Sequence, residues 1–361
     1  MLKLKVERLE EYLLSVYKKP VKVLRAIPIG RQGTADLKGF GYGVPYFIEF
    51  SVEDEVKRAV LETMRPEGFG HDYFSDRASV LLWQHSAFNK LSRHVRSIDV
   101  GAFTIDGETL KSVGDCTEFF ILTEYVDGTL YHNDLDRIKD NGDLMDIDEE
   151  RCVALAHYLV EIHSVKNKAP ELYVRRIRDL LGHGECIFGL TDSYPRSLDY
   201  VNDKFFIDFE KMCVEWRWKL KHKGHRLSQI HGDFHPWNIM FRQGLDFTVL
   251  DRSRGEWGEP ADDVTAMTIN YIFYSLQIFG EMKEPFLRLF LLFWRNYVDE
   301  SDDEEILSVV QPFYAWRSLV LASPLWYPNL SVNVRRKIFR FANKMLKIKE
   351  FDFEDIQSYL G

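Results

Sequence analysis

The chain has 361 residues, 45% of them hydrophobic and 29% charged, with a formal net charge of −9. This length supports one large or two ordinary domains with a sizeable core, and the balance is that of a soluble globular protein. The charge excludes a non-specific nucleic-acid binder, which carries a basic face, and no apolar run reaches the roughly eighteen residues of a membrane span. The N-terminal residues lack the long apolar core of a signal peptide, so the cytoplasm is the expected location. Cys116, Cys152, Cys186 and Cys213 lie far apart without a C-x-x-C pair, which points to free thiols and away from a disulfide framework or a zinc site.

In chain order, residues 3–18 place Leu4, Leu9, Tyr12, Leu13 and Val16 on a helical period, predicting an amphipathic helix closed by Pro20. Residues 21–29 read as a strand whose proline suits a sheet edge. Residues 30–43 are a loop rich in glycine (Gly30, Gly33, Gly39, Gly41 and Gly43), with Lys38 just ahead of the last three. Glycines let backbone N–H groups approach a phosphate closely. No G-K-[ST] follows, so this is not a P-loop. Residues 46–52 and 56–64 predict a hairpin. Ser75 is the expected N-cap of a helix through Lys90, with Ala78, Leu81, Leu82, His85 and Phe88 on its packed stripe. Residues 97–104 with 110–113 predict a second hairpin, and 119–123 a buried strand running into Glu124-Tyr125-Val126-Asp127-Gly128.

From about residue 126 the pattern turns helical. Residues 148–165 carry Val153, Ala156, Leu159, Val160 and His163 at helical spacing, and His163 is expected as a hydrogen-bonded core histidine. Trp216-Arg217-Trp218-Lys219 reads as a helix with one aromatic face more simply than as a base-stacking platform. Residues 265–279, 286–297, 304–321 and 332–346 predict four helices, with the acidic run 302–305 placed where the helix dipole favours it.

The chemistry is concentrated in residues 231–263: His231-Gly232-Asp233-Phe234-His235-Pro236-Trp237-Asn238, then Asp251, then Gly258-Glu259-Pro260-Ala261-Asp262-Asp263. An apolar stretch leads into the polar loop, a short strand leads out, and a second β-prone run ends on Asp251. Strand, loop and return hairpin are expected to gather Asp233, Asn238 and Asp251. These groups suit metal-assisted phosphoryl transfer, in which one carboxylate handles the acceptor hydroxyl while an amide and a second carboxylate hold Mg²⁺ against phosphates.

The spacing H-G-D-x-H-x-x-N, followed by an aspartate after a β-run, resembles the aminoglycoside phosphotransferase and choline kinase group. That resemblance implies an α+β, two-lobed protein-kinase-like fold: a small lobe (residues 1–125) of antiparallel sheet plus helix, and a large helical lobe (126–361). It implies ATP and Mg²⁺ as cofactors and a hydroxylated small molecule as acceptor, with neither nucleic acid nor membrane as partner. Asp233 becomes the catalytic aspartate, His231 and His235 brace its loop, and Asn238 and Asp251 hold the metal. Asp263 supports the loop from behind. Lys38, Gly39, Gly41 and Gly43 would meet the phosphates, and the backbone of Glu124 and Val126 the adenine edge. Asp-Arg-Ser-Arg-Gly in place of Asp-Phe-Gly favours a small-molecule acceptor over a protein.

One departure stands out. Where the fold usually carries a third-strand lysine paired with a helix glutamate, this chain has Glu62, and Arg77 falls in the glutamate's place, which implies an ion pair of inverted sign. Lys38, Lys57 and Arg65 are then the cations that could serve the triphosphate. Glu62 also motivates an alternative, a catalytically impaired kinase-like module that binds nucleotide or a partner. For the acceptor, Glu259 and Asp262 could face a basic compound, whereas Arg252 and Arg254 could hold an anionic one.

Overall fold

The computed structural model describes residues 4–29, 43–65, 71, 74–105, 107–111 and 116–361. It forms two compact units, the first running to Asp127 and including Thr248–Arg254, the second comprising Gly128–Phe247 and Gly255–Gly361. Residues 248–254, and with them Asp251, thus lie in the first unit.

The first unit is built from α1 (Val6–Tyr17), β1 (Val21–Pro28), β2 (Gly43–Val52), β3 (Glu55–Met64), α2 (Phe74–Phe88), β4 (Ser97–Thr104), β5 (Leu110–Lys111) and β6 (Cys116–Glu124). The strands form one antiparallel sheet in the order β1-β2-β3-β6-β4-β5, so the proline-bearing β1 is an edge strand, as expected. Alternation along each strand gives the sheet two apolar faces. Leu61, Phe120 and Leu122 pack with Leu9 and Leu13 of α1. Met64 and Ile121 pack with Ala78, Leu81 and Phe88 of α2, and Leu250 joins that second cluster. The α2 stripe differs from the expected one at Leu82, Gln84 and Ala87, the last of which is also buried. Leu82 is exposed and Gln84 is buried, because the helix turns its 78, 81, 84 and 88 positions inward. The Ser75 side chain lies outside the described residues. Residues 248–254 join this unit through the backbone, with Val249 N–H donating to Arg93 O (3.1 Å) and Val95 N–H to Val249 O (3.3 Å).

The second unit contains β7 (Thr129–Leu130), α3 (Tyr131–Asn141), α4 (Asp146–Ser164), α5 (Pro170–Gly182), α6 (Ile187–Ser193), α7 (Asp203–Leu220), β8 (Ser228–Gln229) and β9 (Ile239–Phe241). After β10 (Phe247–Val249), whose last two residues belong to the first unit, it continues with β11 (Trp257–Gly258), α8 (Ala261–Phe279), α9 (Phe286–Ser301), α10 (Gln311–Ala322), α11 (Val332–Met345) and α12 (Ile356–Leu360). Helix α8 is the hub. Every residue from Ala261 to Leu276 is buried, and α9, α10 and α11 pack on it. Residues 304–321 are not one helix: Glu304–Ser308 is a 3-10 turn and α10 starts afresh at Gln311. Pro312 explains the break, since it lacks an N–H and is tolerated only in a first turn. The two tryptophans of α7 do not share a face. Trp216 is buried and donates to Leu346 O (2.9 Å), whereas Trp218 is exposed under the Lys221 ammonium. Residues two apart on a helix point about 200° apart. Asp303 and Glu305 pair with buried Arg226 (2.7 and 3.3 Å), so the acidic run has charge partners beyond any dipole.

Cys152, Cys186 and Cys213 are buried free thiols, as expected. No described helix is long and apolar enough to cross a membrane.

A tight strand contact in the first unit yields a test. Gly101 of β4 lies directly across from Phe120 of β6, and a Cβ there would stand 2.5 Å from the ring. That ring is held edge-on by Tyr12 and Phe103 at centroid distances of 5.0 and 5.6 Å. Gly101→Ala should destabilise the protein by about 1–3 kcal/mol, the usual size of an overpacking effect. The readout is the urea midpoint at constant slope, and an unshifted midpoint would mean the Phe120 ring can move aside.

Candidate active site

Residues 231–238 are shaped by hydrogen bonds to their own backbone. Gly232 sits at φ +89°, a conformation that glycine alone adopts freely. The N–H groups of His231 and Gly232 donate to the two oxygens of Asp263, at 2.7 and 2.6 Å. Asp263 stands in the first turn of α8 and is fully buried. Burial would push its carboxyl up, but the hydrogen bond and charge of His163, together with His231, hold it below the ordinary carboxylate value. His163 spans Asp263 Oδ2 (3.1 Å) and the Tyr297 hydroxyl (2.9 Å), the hydrogen-bonded core histidine that was expected.

The rest of the loop follows the same logic. Asp233 N–H donates to His231 Nδ1 (3.2 Å), Trp237 N–H to His235 Nδ1 (3.2 Å), and Asn238 N–H to His235 O (2.8 Å). Both imidazoles therefore accept through Nδ1 and act as braces. The Asn238 amide nitrogen donates to Asp233 O (3.0 Å), which leaves its oxygen, a hard donor, directed elsewhere. Of the Asp233 carboxylate, Oδ1 receives Arg317 Nη1 at 2.6 Å and Oδ2 lies 3.6 Å from His235 Nε2. The sequence reading missed Arg317. Its signal was a lone charge within the apolar run Phe313-Tyr314-Ala315-Trp316-Arg317-Ser318-Leu319.

The charged residues of 252–262, expected to meet the acceptor, have these surroundings. Glu259 is fully buried, gripped by Arg226 (2.7 Å) and by the Tyr173 hydroxyl (2.7 Å). Asp262 is buried between Arg176 (2.6 Å) and Arg317 (2.7 Å). Arg252 is fully buried and donates to Ala87 O (3.1 Å). All three are buried with partners inside the protein, as a charge taken out of water requires. Arg254 is half-buried.

Asp251 is exposed, at φ +53° in the first unit, and Gln84 Nε2 lies 3.4 Å from its Oδ1. Glu62 stands opposite Ile121 on the α2 face of the sheet. The expected Glu62–Arg77 pair is absent: Arg77 Nη1 donates to His71 O (2.7 Å), back along the chain before α2, and Glu62 forms no ion pair among the described residues. Burial, then the nearby Asp251 charge, pushes the Glu62 carboxyl up to about 8. Lys57 is paired with Glu55 (2.7 Å) at the hairpin end of β3, and Arg65 is exposed just past its other end. Lys38, Gly39 and Gly41 lie outside the described residues, while Gly43 opens β2 opposite Met64. Glu124 N–H is used by Arg96 O (3.0 Å), but Val126 N–H makes no hydrogen bond among the described residues. An amide oxygen and an exposed carboxylate are the hard donors Mg²⁺ takes beside water and phosphate, so Asn238 and Asp251 fit that ion by type.

The family model described as phosphotransferase enzyme family, APH, matches residues 86–279. None of the curated proteins matches the chain. Among solved structures, the amicoumacin kinase hAmiN in complex with AMP-PNP, Ca²⁺ and Ami is similar at 15% identity and a TM-score of 0.55, covering 88% of this chain and 90% of that one. Aminoglycoside phosphotransferase APH(4)-Ia is similar at 11% identity and a TM-score of 0.50, covering 95% and 99%. At such identities the likeness is one of fold, and it matches the expected α+β, kinase-like class.

Glu62 gives a pH dependence whose sign follows from its raised value. In the folded protein it binds a proton up to about pH 8, whereas its ordinary value is 4.5. The folded state therefore holds more protons across that window, and stability falls as pH rises through it. Glu62→Gln should flatten this slope and be more stable than the wild type above pH 8. Urea midpoints at pH 5 and 8.5 in EDTA provide the check, and parallel slopes in the two proteins would contradict it.

Proposed function

This chain belongs to the phosphotransferase enzyme family, and on that premise we propose that it is an ATP-dependent kinase moving the γ-phosphoryl group to a hydroxyl of a small molecule. The observation that carries the reading is the build of the 231–238 loop. Asp233 is gripped at one oxygen, and the Asn238 amide is turned so that its oxygen is available.

In this reading Asp233 orients the acceptor hydroxyl and takes its proton as the new P–O bond forms and ADP leaves. His231 and His235 keep the loop in shape, and Asp263 anchors it from α8. Asn238 and Asp251 would hold Mg²⁺, which when bound neutralises charge on the phosphates. The AMP-PNP and Ca²⁺ in the amicoumacin kinase complex support a nucleotide and a divalent cation here. Lys38, Gly39, Gly41 and Gly43 are assigned to the phosphates, and the backbone of residues 124–126, with its open Val126 N–H, to the base. We place the enzyme in the cytoplasm, with a nucleotide and a hydroxylated small molecule as its partners.

Glu62 favours a second reading, a kinase-like module that binds nucleotide or a partner without turnover, since it puts a carboxyl where a cation is expected. Turnover separates the two. Asp233→Asn should lower kcat by a factor on the order of 10²–10⁴, the size of a general-base contribution, with little change in ATP affinity. Near-normal turnover in that variant would remove Asp233 from the role. Asp251→Ala should abolish Mg²⁺-dependent ATP binding in calorimetry while leaving the melting curve intact. Binding that stays equally Mg²⁺-dependent would take Asp251 out of the metal site.

A further inference from the structure

Helix α10 is buried almost throughout, and its one charged residue is Arg317. The guanidinium makes three hydrogen bonds, Nη1 to Asp233 Oδ1 (2.6 Å), Nη2 to Asp262 Oδ1 (2.7 Å) and Nη2 to Gly232 O (3.2 Å), and lies over the Trp316 ring (3.9 Å to its centroid). Arg176 of α5 takes the other Asp262 oxygen at 2.6 Å. Charges thus alternate in a row, Arg176–Asp262–Arg317–Asp233, and sum to zero. Arg317 lies beyond residues 86–279, the stretch matched by the family model.

Stability alone is a poor reason for this arrangement. A buried ion pair is often no better than a well-packed apolar group, and here Arg317 Nε is buried without a hydrogen-bond partner, an added cost. Geometry is a better one. A single planar group grips both the Asp233 carboxylate and the backbone carbonyl just before it, so the carboxylate cannot rotate relative to its own loop. Asp262, itself clamped by Arg176, fixes where that planar group stands.

We propose that Arg317 is the positioning residue of the reaction, holding Asp233 Oδ1 so that Oδ2, on the His235 side, meets the acceptor hydroxyl. This rests on the kinase reading above. Arg317 acts through Asp233, touching neither nucleotide nor acceptor, and Asp262 and Arg176 act through Arg317. Misplacing a reacting group by about 1 Å can cost on the order of 10²-fold in rate.

The test uses the full-length protein with Mg²⁺·ATP, and water as phosphoryl acceptor. Arg317→Met and Arg317→Lys are each measured in the wild-type and the Asp233→Asn background. Arg317→Met should lower kcat for hydrolysis by about 10- to 100-fold and leave the KM for ATP within about twofold, with Arg317→Lys in between. In the Asp233→Asn background neither substitution should lower kcat further, because the group being positioned is already disabled. Losses that multiply in the double variants would mean a general structural role and overturn the proposal. So would an unchanged kcat in Arg317→Met. If Arg317→Met does not fold, the Arg317→Lys pair decides by the same criterion. Wild type without Mg²⁺-dependent hydrolysis, or hydrolysing no faster than Asp233→Asn, would overturn the kinase reading and this assignment with it. Asp233-dependent turnover that is indifferent to Arg317 would overturn the assignment alone.

Discussion

The Asp263 carboxylate is the constraint on which the 231–238 loop depends. Its two oxygens take the N–H groups of His231 and Gly232, and those bonds hold Gly232 at positive φ. A fully buried carboxylate is unfavourable unless its charge is answered. Here two backbone donors, His163 and the N-terminus of α8 all answer it. Tyr297 in turn fixes the His163 ring. The loop is thereby referred to the hub helix of its unit, and everything after it, from the His235 brace to the inward-turned Asn238 amide, follows from that first bend.

Around this anchor the charged groups of residues 259–263 are all used within the protein. Glu259 is held by Arg226 and Tyr173, and Asp262 by Arg176 and Arg317. Arg252 is likewise buried, with its guanidinium on Ala87 O. The likeness to an aminoglycoside phosphotransferase carries no acceptor with it, because the site and not the fold selects the substrate.

The sequence was most readable where one period or one spacing decides the outcome. Leu9 and Leu13 of α1 face the sheet because the helix repeat leaves them no other place, and β1 lies at the edge because Pro28 cannot donate to a ladder. The loop could be read for a similar reason, since its bonds join residues a few positions apart. What could not be read were partners distant in the chain. Asp233 meets Arg317 across 84 positions, and Arg226 meets Glu259 across 33. A buried charge declares that it needs a partner but does not name one. The Glu62–Arg77 pairing failed for that reason: the α2 residue that reaches Asp251 is Gln84, about two turns beyond Arg77.

Glu62 is less hostile to a triphosphate than its formal charge suggests. A carboxyl group withdrawn from water close to a second carboxylate does not ionise cheaply. Burial, and then the charge of Asp251, push Glu62 up to about 8, so near neutral pH the unliganded protein carries it mostly as the neutral acid. A neutral carboxylic acid is a hydrogen-bond donor, and a donor is what a phosphate oxygen requires. The lysine expected at this position would bring a donor together with a positive charge. Glu62 can bring the donor alone, and a divalent cation at Asp251 would then have to supply the charge. On the proposed kinase reading, glutamate in place of lysine would thus move the electrostatic burden from the third strand to the metal, which is chemically different from abolishing a nucleotide site.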